Sequence, residues 1–140
     1  MTRWRTAVAG ALAVAVLGAA VARAQAPRPR LVAPVRGEAK IAYLAPSTKV
    51  SGGNVVTTIQ MKNLASAPIA GLRVEEFWYD KSNNLVPGDS QTVRTPIPPG
   101  EIVTITLTTP RDERMVRNQY RFSHANGTID ADLMKTLDDE

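Results

Sequence analysis

Apolar and polar positions alternate along most of this chain, and the alternation restarts about every ten residues, the spacing of short strands joined by tight turns. The clearest case is residues 54–62. Val55, Thr57, Ile59 and Met61 fall on one face there, and Val56, Thr58, Gln60 and Lys62 on the other. Residues 101–108 repeat the pattern, with Val103, Ile105 and Leu107 opposed to Ile102, Thr104 and Thr106. Shorter alternating runs occupy residues 39–44 and 119–125. Residues 71–80 form the most aromatic stretch and the expected central strand, with Phe77, Trp78 and Tyr79 in succession. Between these runs lie turn formers: a Pro, Ser and Gly loop at 45–53, Asn, Ser and Pro at 63–70, the polar turn 81–84 and the rigid Thr-Pro-Ile-Pro-Pro-Gly of 95–100. Residues 85–94 carry Pro87 and Gly88, so that strand belongs at an edge or begins after Gly88. Residues 110–117 read as a charged connection with room for one helical turn.

Asn126-Gly127 is a strong short hairpin signal, because both central residues of a type I′ turn need positive φ. A two-residue turn there pairs Ala125 with Thr128, Arg121 with Asp132 and Tyr120 with Leu133. The competing pattern is a terminal helix, since Ile129, Leu133 and Leu137 recur at helical spacing behind Thr128 as an N-cap. With no long helix otherwise and no internal repeat, the expected fold is all-β: an antiparallel immunoglobulin-like β-sandwich of about seven strands, preceded by a signal-peptide helix.

The central strand and its flanks resemble the FxLYD-type domain. The residues concerned are Val74 to Asp80 with the turn 81–84, preceded by Lys62-Asn63-Leu64 and Pro68-Ile69 and followed by Pro98-Pro99-Gly100-Glu101. The resemblance spans residues 55–108. Tyr79 and Asp80 keep the motif, while Trp78 stands in place of its Leu and Glu76 in place of its Phe. That family comprises small secreted or surface immunoglobulin-like domains of bacteria and archaea with no assigned catalytic activity, and the resemblance implies the same here. Glu76 shares strand parity with Leu72, Val74 and Trp78. Either a bulge near Glu75-Glu76 transfers burial to Phe77 and Tyr79, or Glu76 sits close to the rim of the sheet.

Composition sharpens the picture at the N-terminus. Arg3 and Arg5 precede an uncharged Ala/Val/Leu run from 7 to 22, and Ala22-Arg23-Ala24 carries small residues where a signal peptidase reads them. Residues 1–24 are therefore expected to be a cleavable signal peptide, cut after Ala24, exporting the chain to the periplasm or the exterior. The apolar run is short and Ala-rich against the ~20 strongly apolar residues of a membrane span, so no stable span is expected after cleavage. Loss of Arg3, Arg5 and Arg23 reduces 17 basic residues to 14 against 13 acidic ones, a net charge of +1, which removes the basis for a nucleic-acid reading. Residues 25–38 then form a Pro/Arg-rich tether, 39–137 the sandwich domain and 138–140 an acidic tail. Without Cys, stability rests on the core.

Candidate chemistry is sparse. His124 is the single histidine, and neither a Gly-x-Ser-x-Gly elbow nor a Cys nucleophile accompanies it, so no enzyme is expected. Glu75 and Glu76 are adjacent and point to opposite faces, which rules them out as a paired acid and base. No cofactor or metal is expected. The expected function is a non-enzymatic module for protein interaction or a structural role in the bacterial envelope, with another envelope protein as partner and Phe77, Trp78 and Tyr79 as candidate contacts. The sequence leaves open which of the three is exposed. Two alternatives are a metal or small-ligand carrier using His124 with a Met or Asp130, and a glycan-binding module using an exposed Trp78 or Tyr79.

Overall fold

The computed structural model describes residues 31–138. The expected signal peptide 1–24 with its cut after Ala24, residues 25–30 of the tether and residues 139–140 of the acidic tail lie outside the described residues. Within them the chain is all-β: β1 (Ala39–Leu44), β2 (Ser47–Ser51), β3 (Asn54–Asn63), β4 (Arg73–Tyr79), β5 (Leu85–Val86), β6 (Ser90–Thr92), β7 (Ile102–Pro110), β8 (Arg117–His124) and β9 (Gly127–Met134). The described residues contain no helix, and so none long and apolar enough to cross a membrane. The terminal helix considered for residues 129–137 is not formed; β9 takes its place.

The strands form one mixed sheet curled into a half-barrel. Its path runs β2-β3-β1-β9-β8-β4-β5, with β7 on β3 and β6 on β4. β3 carries β1 and then β2 along one edge and β7 along the other. β4 carries β6 and β5 along one edge and β8 along the other. Nine strands form where about seven were expected, because one expected strand is divided in two and β2 forms where a loop was expected. Ala45-Pro46 separates β1 from β2 inside what read as a loop, and Pro87-Gly88 separates β5 from β6, since Pro cannot donate to a ladder.

The expectation of a wholly antiparallel sheet is corrected at β9. Beyond Ser123↔Thr128 and His124↔Gly127, β9 leaves β8 and runs parallel to β1 from Ala39↔Ile129 to Leu44↔Met134. The turn is centred on Ala125-Asn126, one residue earlier than expected, and the reason lies in the approach to β1. The Gly37 amide donates to the Asn126 carbonyl at 2.9 Å, and the Gly37 carbonyl lies so close to Gly127 that a Cβ there would be 2.1 Å from it. The incoming chain is thus wedged against the hairpin base and aligned with β9. In consequence Asp132 pairs with Lys40 at 3.1 Å instead of opposing Arg121.

The core sits inside the curl. Ile41 of β1, Ile59 and Met61 of β3, Leu72 and Val74 at the start of β4 and Ile105 and Leu107 of β7 are buried together, with Ile69 and Ile97 sealing one end through an isolated bridge. These are the alternating positions of the sequence pattern.

Candidate functional site

The β4–β8 register is continuous from Arg73↔Ser123 to Tyr79↔Arg117, so β4 has no bulge and its side chains alternate without interruption. Leu72, Val74, Glu76 and Trp78 therefore point inward, and Phe77 and Tyr79 point outward. The irregularity lies on the neighbouring chain, where residues 87–89 arch past Glu76 between β5 and β6. The Glu76 amide donates to the Asp89 carbonyl at 2.8 Å, and Gly88 lies against the Glu76 carbonyl. Neither arrangement foreseen for Glu76 occurs: it is not displaced by a bulge, and at 3% exposure it is not a rim residue.

The outward face of β4 and β8 is a ladder of aromatic rings and guanidinium groups. Arg121 lies 5.1 Å over the Phe77 ring and Arg117 4.2 Å over the Tyr79 ring. Glu75, beside them, pairs with Arg73 at 3.2 Å and with Arg121 at 4.0 Å. Arg117 also donates to Asn83 Oδ1, which ties it to the β4–β5 turn. The turn itself is held by Asp80, whose Oδ1 accepts from the Ser82 and Asn84 amides at 2.8 Å each. Those amide bonds, Asn84's foremost, depress the pKa of Asp80. Next to Tyr79 in register, Leu85 is 60% exposed and extends the apolar surface. Phe77 and Tyr79 are half-buried, each keeping an accessible edge beneath a cation.

Trp78 belongs to the opposite face. It lines a cleft of about 270 Å³ at the end of the half-barrel, with Thr48, Lys49, Val50, Val55, Arg111, Asp112, Glu113 and Met115. Asp112 is held by Arg114 at 2.6 Å, which lowers its pKa to about 2. Behind the cleft is a polar interior. Trp78 Nε1 donates to Glu76 Oε1, the Thr48 and Thr57 hydroxyls meet at 3.2 Å, and Asn118 Nδ2 donates to the Tyr120 hydroxyl at 2.7 Å. Burial raises the pKa of Tyr120, reinforced by the Glu76 charge and opposed by hydrogen bonds from Thr48 and Thr57. Glu76 Oε2 and Thr109 Oγ1 are buried without a hydrogen-bond partner.

His124 is remote from metal-type neighbours. It is 7% exposed; Nε2 contacts the Gly37 carbonyl at 2.7 Å and Nδ1 accepts from the Asn126 amide at 3.3 Å. Those two contacts fix the tautomer with the proton on Nε2 and occupy both nitrogens, so the imidazole clamps the segment before β1 to the hairpin. Asp130 and Asp132 flank Lys40 across the β1–β9 ladder, and both raise its pKa, Asp132 foremost. Among the described residues, no group of three or more His, Asp or Glu is placed to hold a metal ion.

Of the three aromatics singled out by sequence, the fold thus brings Phe77 and Tyr79 together and sends Trp78 elsewhere. Sequence reasoning missed Arg117, Arg121 and Leu85. A partial signal was present, since Arg117 and Arg121 share strand parity, but Arg117 fell in what read as a charged connection and Arg121 was expected to oppose Asp132.

No protein-family model matches the chain, and no curated protein matches it. Among solved structures, it is similar to a DUF1425 family member from Shewanella sp. pv-4, at 16% identity over 61% of this chain and 78% of that chain, with a TM-score of 0.45.

Proposed function

We propose that the chain is an exported, non-enzymatic β-sandwich of immunoglobulin-like type that binds another protein of the bacterial envelope through the outward face of β4 and β8. One observation carries this reading: Phe77 and Tyr79 lie outward beneath Arg121 and Arg117, beside the exposed Leu85. Aromatic and Arg side chains dominate binding energy at protein interfaces, because both offer large contact area and directional polar groups. A cationic-aromatic surface of this kind suits an apolar segment carrying carboxylates. The immunoglobulin-like assignment is supported by two groups of strands, β1/β2-β3-β7 and β5/β6-β4-β8, that contribute side chains to one core and are linked through β9. Retention of Tyr79 and Asp80, the latter closing the β4–β5 turn, supports the FxLYD-type resemblance.

The test is photo-crosslinking in cells from a benzoyl-phenylalanine placed at Phe77, with Gln60 on the far side of the half-barrel as control. One discrete adduct from position 77, lost when Arg117→Glu and Arg121→Glu are added, is the expected result. Equal adducts from both positions, or none from 77, would overturn it. A second reading, glycan binding, is favoured by the half-buried Trp78 in a cleft with Lys49, Arg111, Asp112 and Glu113. It requires that Trp78→Ala abolish binding on a glycan array while Phe77→Ala leaves it intact.

A further inference from the structure

The cleft around Trp78 is bordered by charged groups from two directions. β2 supplies Lys49 on one side, and the segment after β7 supplies Arg111, Asp112 and Glu113 on the other. The Arg111 amide donates to the Gly53 carbonyl at 2.9 Å, which ties that segment to the β2–β3 turn. Asp112 is already engaged by Arg114, through bonds of 2.6 and 3.0 Å. Among the described residues, Lys49, Arg111 and Glu113 form no ion pair. Two cations and one carboxylate are thus left to meet a ligand beside an indole.

The indole itself is held by a costly partner. Trp78 Nε1 donates to Glu76 Oε1, while Glu76 Oε2 is buried without a hydrogen-bond partner. No cation pairs with this carboxylate among the described residues. A buried carboxylate so incompletely matched lowers stability, and an apolar side chain would fill the position without that penalty. What the carboxylate adds is orientation. By accepting from Nε1 it fixes a half-buried ring that borders the cleft.

We propose that this cleft binds a sugar residue carrying a negative charge, stacked on Trp78, with Glu76 as the positioning residue. The proposal rests on the glycan-binding reading above and names its ligand class. Each group answers to one part of such a ligand. The indole offers an apolar surface to the C–H face of a sugar ring. Lys49 and Arg111 can only donate, so an anionic acceptor satisfies both, whereas the Glu113 carboxylate accepts only and requires hydroxyl donors on the same molecule. A planar aromatic acid would meet the first two demands and leave Glu113 unmatched. At about 270 Å³ the cleft lies at the small end of ligand sites and suits one ring.

The test is a glycan array of matched acidic and neutral pairs, galacturonate with galactose oligomers and glucuronate with glucose oligomers, probed with the full chain. The acidic member of at least one pair should bind at least tenfold more tightly than its neutral counterpart, by a margin that shrinks as salt rises. Lys49→Ala combined with Arg111→Ala should erase that margin. Glu76→Met should weaken binding at least tenfold with an unchanged circular dichroism spectrum, and Glu76→Gln, which keeps an acceptor for Nε1, should restore it. Equal binding of both members of every pair, or of the neutral members alone, overturns the proposal and leaves the glycan reading standing; silence of the whole array overturns both. Undiminished binding by Glu76→Met removes the positioning role of Glu76.

Discussion

Glu76 shows how a single residue is placed by its neighbours. Its parity made it an interior position, and its charge argued against one. The fold keeps the parity because Trp78 Nε1 donates to one carboxylate oxygen and the Asp89 carbonyl accepts the backbone amide. The arch that delivers Asp89 depends on Gly88, where a Cβ would lie 1.9 Å from the Glu76 carbonyl oxygen and 2.8 Å from its carbon. Both are backbone atoms, so neither can swing aside. Gly88→Ala is therefore expected to destabilise by roughly 3 kcal/mol, the upper part of the range for overpacking. For a domain of this size, that lowers the thermal midpoint on the order of 15 °C. Gly53→Ala, where a Cβ meets nothing within 4 Å and φ is not positive, is the matched control and should change stability little. Scanning calorimetry of both variants checks the pair; equal midpoints would refute the role given to Gly88. None of this was legible beforehand, since Pro87-Gly88 announced a broken strand but not which residue the break would press against.

At the scale of elements, the strands with strict alternation were the most legible. β1 and β3 match the expected runs closely, and β7 extends its run by two residues, because a period of two with β-branched side chains fits one buried and one wet face. The partner of each strand was less legible. β9 has an alternating pattern that suits β8 or β1 equally, and the choice is made by the Gly37 contacts at the hairpin base, which are long-range and leave no periodic trace. The choice has a measurable consequence. A full hairpin bonded on one side to β8 and on the other to β1 would protect every β9 amide. In the observed pairing, β9 from Ile129 to Met134 bonds to β1 alone, so amides pointing toward β1 alternate with amides that have no strand partner. Hydrogen exchange by NMR is expected to show slow and fast amides alternating across this segment. Uniform protection from Ile129 to Met134 would mean that β8 and β9 pair along their whole length. The same splaying explains why the Arg121–Asp132 pairing read from the sequence is replaced by Arg121–Glu75 and Lys40–Asp132.

For the molecule as a whole, the inward faces of the strands hold the core, and the outward face of β4 and β8 is the proposed contact surface. That division is why the core was readable in the sequence and the contact surface only partly so. Core positions obey the hydrophobic period, whereas Arg117 and Arg121 gain their meaning only when β8 is laid beside β4. Substitutions should separate the two roles. Ile59, fully buried at 0% exposure among Ile41, Met61, Leu72, Val74 and Leu107, is expected to cost about 3 kcal/mol when changed to Ala, through lost transfer energy and the cavity left behind. A domain of this size with one continuous core should unfold in a single cooperative step, so that loss should move the urea midpoint without altering the slope. Arg117→Ala and Arg121→Ala remove exposed cations lying over half-buried rings, contacts worth about 0.5–1 kcal/mol each at such sites. Their combined effect on the midpoint should stay below that of Ile59→Ala, while crosslinking from position 77 falls away. Urea unfolding and crosslinking of the same three variants decide the matter together. If the double Arg variant unfolds as easily as Ile59→Ala, the outward ladder is part of what holds the sheet, and the division between faces fails.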